Sequence, residues 1–141
     1  MNKNYFRVYV AGAYTPTGNG NHAIEMLNNM REGIRAAVEL LVAGYVPYCP
    51  WLDWQYYMQV NDMYEITGDM IKDNSMAFLE TSDAIVILPN WERSTGTGAE
   101  LVRANELGIP IYFGLQDFFN ETYELDFLTT DEIIKEIQSY E

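Results

Sequence analysis

Asp83-Ala-Ile-Val-Ile-Leu88 is an unbroken apolar run that opens on an acid and is closed by Pro89. A strand with one wet face would alternate apolar and polar residues. This one does not, so both of its faces must be covered. Such a segment belongs in the middle of a parallel sheet with helices on either side.

The rest of the chain supplies those helices. Phe6 to Val10 reads as a first strand, and the Gly/Pro/Thr/Asn-rich stretch Gly12 to Asn21 as a loop. From about His22 to Ala43, Leu27, Met30, Ile34, Ala37, Val38 and Leu41 recur at helical spacing, and Gly44 ends the run. Tyr45 to Cys49 is a short second strand. Its Pro47 lacks an N–H and places it at a sheet edge. Pro50 to Thr67 reads as irregular and rich in aromatics, and Asp69 to Glu80 as a helix. After the apolar run come a loop from Pro89 to Thr95, a helix from Thr97 to Leu107 stopped by Gly108, and a fourth strand from Pro110 to Phe113. An amphipathic helix spans Thr130 to Ser139, and a fifth short strand falls near Leu125 to Phe127. The expected fold is a single α/β domain over residues 1–141, flavodoxin- or Rossmann-like. It has a parallel sheet of four or five strands in the order 2-1-3-4-5. Strands one and three then form the switch point, and the loops Gly12 to Asn21 and Pro89 to Thr97 meet over it.

Composition narrows the function. The 141 residues are 48% hydrophobic and 21% charged, which suits one globular domain. A net charge of −13 repels phosphate polymers and anionic lipid, so no nucleic-acid polymer and no membrane are expected as partners. A small phosphorylated ligand remains compatible, because backbone N–H groups bind an anion locally. Cys49 is the only cysteine and His22 the only histidine, which leaves no Cys/His zinc set. The opening residues lack a signal-peptide core, and no run reaches 18 apolar residues. A soluble cytoplasmic protein is expected.

The chemistry concentrates in Leu88-Pro-Asn-Trp-Glu-Arg-Ser-Thr-Gly-Thr-Gly-Ala-Glu100. Two glycines allow close backbone approach, Ser94, Thr95 and Thr97 add hydroxyls, and the next helix points its free N–H groups and positive dipole end the same way. Glu100 falls in the first turn if that helix starts near Thr97. Two readings of it stand side by side. Thr97-Gly-Ala-Glu100 matches a capping box, in which the glutamate reaches back to the cap. Alternatively, the carboxylate faces the crevice.

Three segments together resemble the nucleoside 2-deoxyribosyltransferase superfamily, including its deoxynucleoside 5′-monophosphate N-glycosidase relatives. They are Val8 to Gly12 with its polar loop, Asp83 to Glu100, and Ala104-Asn-Glu-Leu-Gly-Ile-Pro-Ile111. The resemblance runs from about Phe6 to Phe113. It implies cleavage or transfer of an N-glycosidic bond on a (deoxy)nucleoside or its 5′-monophosphate, with Glu100 attacking the sugar's anomeric carbon. It implies that Ser94 and the Gly96 and Gly98 amides hold a 5′-phosphate, and that Gly12, Ala13 and Tyr14 pack on sugar or phosphate. No cofactor and no metal is called for. Together with the exposed aromatics, the resemblance also implies a homo-oligomer, a dimer or higher. One departure stands out. The superfamily carries an acid eight residues before the strand's own aspartate, where this chain has Ser75. Asp73 is the nearest acid, turned about 200° away on a helix. Tyr56, Tyr57, Tyr64 and Asp53 are the other proton-donor candidates. The missing acid keeps a second reading open, a nucleotide-binding or sensing module without turnover. A phosphoribohydrolase-like enzyme fits less well, since no Pro-Gly-Gly element precedes the glycines, and a response-regulator receiver lacks its acidic cluster.

Four further residues have plain structural readings. Asp83 suits a turn acceptor, Cys49 a small buried hydrophobe and His22 a solvated loop position, while Arg93 pairs with either an anion or a nearby acid.

Overall fold

Strands Arg7–Ala11 (β1), Val46–Tyr48 (β2), Ala84–Ile87 (β3) and Ile111–Phe113 (β4) form one parallel sheet in the order β2-β1-β3-β4. The computed structural model describes residues 5–14, 20–120 and 130–139. Within these residues the α-helices are His22–Val42 (α1), Gly68–Glu80 (α2), Thr95–Glu106 (α3), Leu115–Phe119 (α4) and Thr130–Gln138 (α5). β1 and β3 pair from Val8↔Ala84 to Ala11↔Ile87 and are buried along almost their whole length. The apolar run is therefore the central strand that its lack of alternation demands. Pro47 lies opposite Val8 on the edge strand β2. There its missing N–H breaks no second ladder.

Successive residues of the central strands feed opposite faces. Val8, Val10, Ala84 and Val86 meet Ala36, Ala37 and Leu40 of α1 and Phe118 of α4. Tyr9, Ala11, Ile85 and Ile87 meet Leu79 of α2, Leu101 and Ala104 of α3 and Ile133 of α5. Among the described residues, no helix is long and apolar enough to cross a membrane.

Local chemistry sets the helix ends. Asn21 caps α1 by accepting from the N–H groups of Ala23 and Ile24 at 3.1 and 3.2 Å. Thr67 caps α2 through Met70 N–H. Gly44 (φ 97°) and Gly108 (φ 70°) turn the chain out of α1 and α3 in the left-handed region that glycine adopts without strain.

Three expectations need correction. The segment after β2 is not wholly irregular: Pro50–Gln59 forms a 3-10 helix with proline at its first position. α3 begins at Thr95, not Thr97, because the Ser94 side chain takes the cap. α4 was not foreseen from the pattern. The fifth strand near Leu125 to Phe127 lies outside the described residues.

Trp51 wedges the 3-10 helix between α1 and the end of β1. Its Nε1–H donates to the Ala13 carbonyl at 3.2 Å, and a Cβ on Gly33 would fall 2.3 Å from its ring. Gly33→Ala gains about 1 kcal/mol in helix propensity but overpacks the ring by about 1–3 kcal/mol. The ring is tethered at its nitrogen and cannot swing clear. We expect a net loss of up to about 2 kcal/mol in urea unfolding, with a shifted tryptophan emission in the folded state.

Candidate active site

The carboxyl ends of β1 and β3 bound a cavity of about 320 Å³ at the switch point. Gly12 and Tyr14 follow β1 into its wall, and Trp51 and Trp54 come from the 3-10 helix. α2 contributes Ile71, Lys72 and Ser75, and the start of α3 contributes Arg93 to Thr97 and Glu100. Gly12 leaves room for this packing: a Cβ there would sit 3.1 Å from Leu88 Cβ and 3.3 Å from the Trp51 ring.

Ser94 decides what Glu100 can do. Its Oγ accepts from Thr97 N–H at 3.2 Å and from the Thr97 hydroxyl at 3.0 Å. The cap is filled, so Thr97 and Glu100 form no capping box. Starting the helix two residues earlier also moves Glu100 into its second turn, facing the cavity. Glu100 Oε2 is buried and has no hydrogen-bond partner among the described residues, and the same holds for the Tyr9 hydroxyl. The two groups face one another without reaching hydrogen-bond geometry. Burial pushes the Glu100 carboxyl up to about 8, and the nearby Tyr9 hydroxyl works against that by favouring the ionised form. Tyr9 is itself raised, first by burial and then by the Glu100 charge. A buried acceptor left unpaired costs about 1–3 kcal/mol. Here that cost is carried at a cavity wall, where a ligand would relieve it.

The same cavity gathers positive charge. Lys72 from α2 and Arg93 from the turn before α3 both line it, in a chain with 8 basic and 21 acidic side chains. The first N–H groups of α3, at Thr95 and Gly96, have no intrahelical acceptor and point toward the same end. Opposite them Tyr14 stacks on Trp54 (centroids 4.4 Å apart, 10° between planes), and Trp54 stacks on Tyr57 at 5.1 Å. A basic end, a buried carboxyl and an aromatic wall thus share one space.

A family model described as "Domain of unknown function (DUF4406)" matches residues 6–113, which takes in all four strands and every residue lining this cavity. The chain belongs to the DUF4406 family. A solved structure titled "Crystal structure of conserved protein from Enterococcus faecalis V583" matches the DUF4406 chain with a TM-score of 0.50 at 17% identity. The match covers 96% of this chain and 88% of that one. At that identity it supports the fold alone. No curated protein matches the chain.

In the DUF4406 chain the sequence-predicted site is brought together in part. Gly12, Tyr14, Ser94, Gly96 and Glu100 converge on the cavity. Ala13 does not; it lines a neighbouring cavity of about 310 Å³ behind Trp51. Gly98 is also elsewhere. Its amide donates to the Ser94 carbonyl at 3.1 Å, so it is not available to a phosphate, and a Cβ there would meet Ile137 of α5 at 2.1 Å. Gly98 is a helix-packing glycine. Asp73 is exposed and lies off the cavity, while Ser75 is buried within its wall and donates to the Lys72 carbonyl at 3.0 Å. The helix has no offset that would bring Asp73 round.

The other candidates sort similarly. Asp53 is buried and accepts from the Tyr48 hydroxyl, whose oxygen also accepts from Asn74 at 3.2 Å; burial raises the Asp53 carboxyl. It does not line the cavity. Tyr56 and Tyr64 are exposed, and Tyr57 backs Trp54. Asp83 accepts from Arg7 N–H at 2.8 Å, which ties β1 to β3. Cys49 is buried, and desolvation pushes its thiol up to about 11, so it supplies no thiolate near neutral pH.

Sequence reasoning missed Tyr9 and Lys72. Tyr9 could have been found from alternation, since it must face opposite to Val8 and Val10, toward α2 and α3. Lys72 lies three residues before Ser75 and so shares its helix face.

Proposed function

We propose that this DUF4406 chain breaks or transfers the N-glycosidic bond of a (deoxy)nucleoside 5′-monophosphate, with Glu100 as nucleophile. One observation carries the reading. A buried carboxylate oxygen without a partner opens onto a cavity of about 320 Å³, a volume within the range of small-ligand sites, roughly 300–1,000 Å³.

The chemistry follows from the site. Ionised Glu100 attacks the anomeric carbon; the bond to the base breaks, and its electron pair leaves with the base, which takes up a proton. A glycosyl ester of Glu100 results. Water or a second base then attacks the same carbon and frees the carboxylate. Tyr9 favours the ionised form of Glu100 that begins the cycle. The Thr95 and Gly96 amides, the Ser94 end of α3, Arg93 and Lys72 surround the place for a phosphate, and Tyr14, Trp51 and Trp54 wall the remainder. No metal is needed for these steps.

The direct test is incubation with each deoxynucleoside and its 5′-monophosphate, with free base resolved by chromatography. Release of base from at least one monophosphate is the expected result. Ser75 favours the second reading, because Glu100 is the one carboxylate among the described residues that line the cavity. Tight binding of a monophosphate with no base released would mark a sensing module instead. If the cations read phosphate, Lys72→Ala and Arg93→Ala each raise KM for the monophosphate by about 10-fold or more, the loss of one charge-assisted hydrogen bond. They should leave KM for the matching nucleoside nearly unchanged.

A further inference from the structure

A 3-10 helix seldom runs beyond about three or four residues, because its hydrogen bonds are poorly aligned. Pro50–Gln59 runs for 10 residues, so contacts with the rest of the fold must hold it. Trp51 ties its start to the Ala13 carbonyl. A second tie is Asp53, a side chain that the proposed reaction does not use and that is only 8% exposed. Asp53 accepts from the Tyr48 hydroxyl of β2, and that hydroxyl's oxygen accepts from Asn74 of α2 at 3.2 Å. One buried polar cluster thus joins an edge strand, the 3-10 helix and α2.

The cluster sits directly behind the cavity. Trp51 and Trp54, on either side of Asp53 in sequence, line it, and so does Ser75, the residue after Asn74. The Tyr48 ring lies between Phe78 and Tyr9, with centroids 4.6 and 5.4 Å away and planes 19° apart in both pairs. A bond that fixes the Tyr48 oxygen therefore also fixes a ring stacked on Tyr9. Asp53 itself does not line the cavity, so it reaches a ligand only through what it holds. We propose that Asp53 is a positioning residue. Its bond to Tyr48 holds the 3-10 helix so that Trp54, stacked on Tyr14, stands as the wall against which a nucleobase packs. The choice of a nucleobase rests on the nucleotide reading of the cavity; the bond and the helix it holds do not.

The test compares Asp53→Ala, Tyr48→Phe and the two combined in the full chain. Tyr48→Phe keeps the stacked ring and removes only the donor. Without ligand, the amides of residues 51–59 are expected to exchange hydrogen at least about 10-fold faster in each variant, with β1 and α3 unchanged. Binding is measured in a Glu100→Gln background, so that no turnover intervenes. Deoxyadenosine 5′-monophosphate should bind about 10-fold more weakly in either single variant. The combined variant should be no worse, because the same bond is lost in all three. The affinity for 1,2-dideoxyribose 5-phosphate, which has no base, should not move. Asp53→Asn, which keeps an acceptor for Tyr48, should restore most of the nucleotide affinity. Unchanged exchange over residues 51–59 would overturn the proposal, and so would equal weakening of both ligands, the mark of a merely structural role. If the background protein bound neither ligand, the nucleotide reading would fall, and the exchange rates would still decide whether Asp53 holds the helix.

Discussion

Glu100→Gln is expected to lower base release by at least about 10³-fold, with the protein still folded and still binding nucleotide. The substitution keeps the shape and volume of the side chain, so the packing of α3 against β1 is preserved. It removes the one capacity the mechanism requires, because a carboxamide does not form the glycosyl ester. Residual activity is limited to what cavity walls and bound water achieve without a nucleophile. Tyr9→Phe is the companion measurement. It removes the group that favours the ionised carboxylate, so kcat/KM falls less than in Glu100→Gln and the rising limb of the pH profile moves to higher pH. In wild type that limb should be centred near 8, where Glu100 ionises in the free protein.

The same residue makes stability depend on pH. Folded Glu100 holds its proton up to about 8, whereas an unfolded glutamic acid loses it near 4.5. Between those values the folded state binds more protons than the unfolded one, so stability falls as pH rises. Below pH 4.5 both states are protonated and this cost is absent; above about 8 it is complete. Its full size is on the order of 3–5 kcal/mol at about 1.4 kcal/mol per pKa unit. Glu100→Gln stays neutral throughout. The variant should therefore be more stable than wild type by several degrees in melting temperature at pH 9, with the advantage gone at pH 4. Thermal unfolding followed at both pH values checks it. An equal difference at both would show that packing, not ionisation, separates the two proteins. Under the proposed mechanism the variant expected to gain stability is also the one expected to lose activity.

The fold was legible where sequence constraints are local. The run from Ala84 to Ile87 admits no wet face, Pro47 admits no central strand, and Gly44 and Gly108 mark helix ends. The start of α3 was not legible, because Ser94, Thr95 and Thr97 are all competent caps and tertiary packing chooses among them. That choice of Ser94 turns Glu100 from a capping acceptor into a cavity group. Gly98 was misassigned for a related reason. A glycine that admits a phosphate and one that admits a neighbouring helix look the same until Ile137 of α5 is seen against it. Helical rotation set Asp73 apart from the Ser75 face, but a local offset could still have brought it round and kept it a candidate; the regular turn of α2 leaves it exposed and off the cavity.

The central claim is that Glu100 becomes bonded to sugar. Mass spectrometry of the protein after brief incubation with a 2-deoxy-2-fluoro nucleoside 5′-monophosphate, a substrate chosen to slow the second step, tests it directly. The account predicts an added mass equal to the fluorinated sugar phosphate without its base, mapped by fragmentation to Glu100 and missing from Glu100→Gln. Base release with the adduct on any other residue, or an adduct that persists in Glu100→Gln, would contradict it.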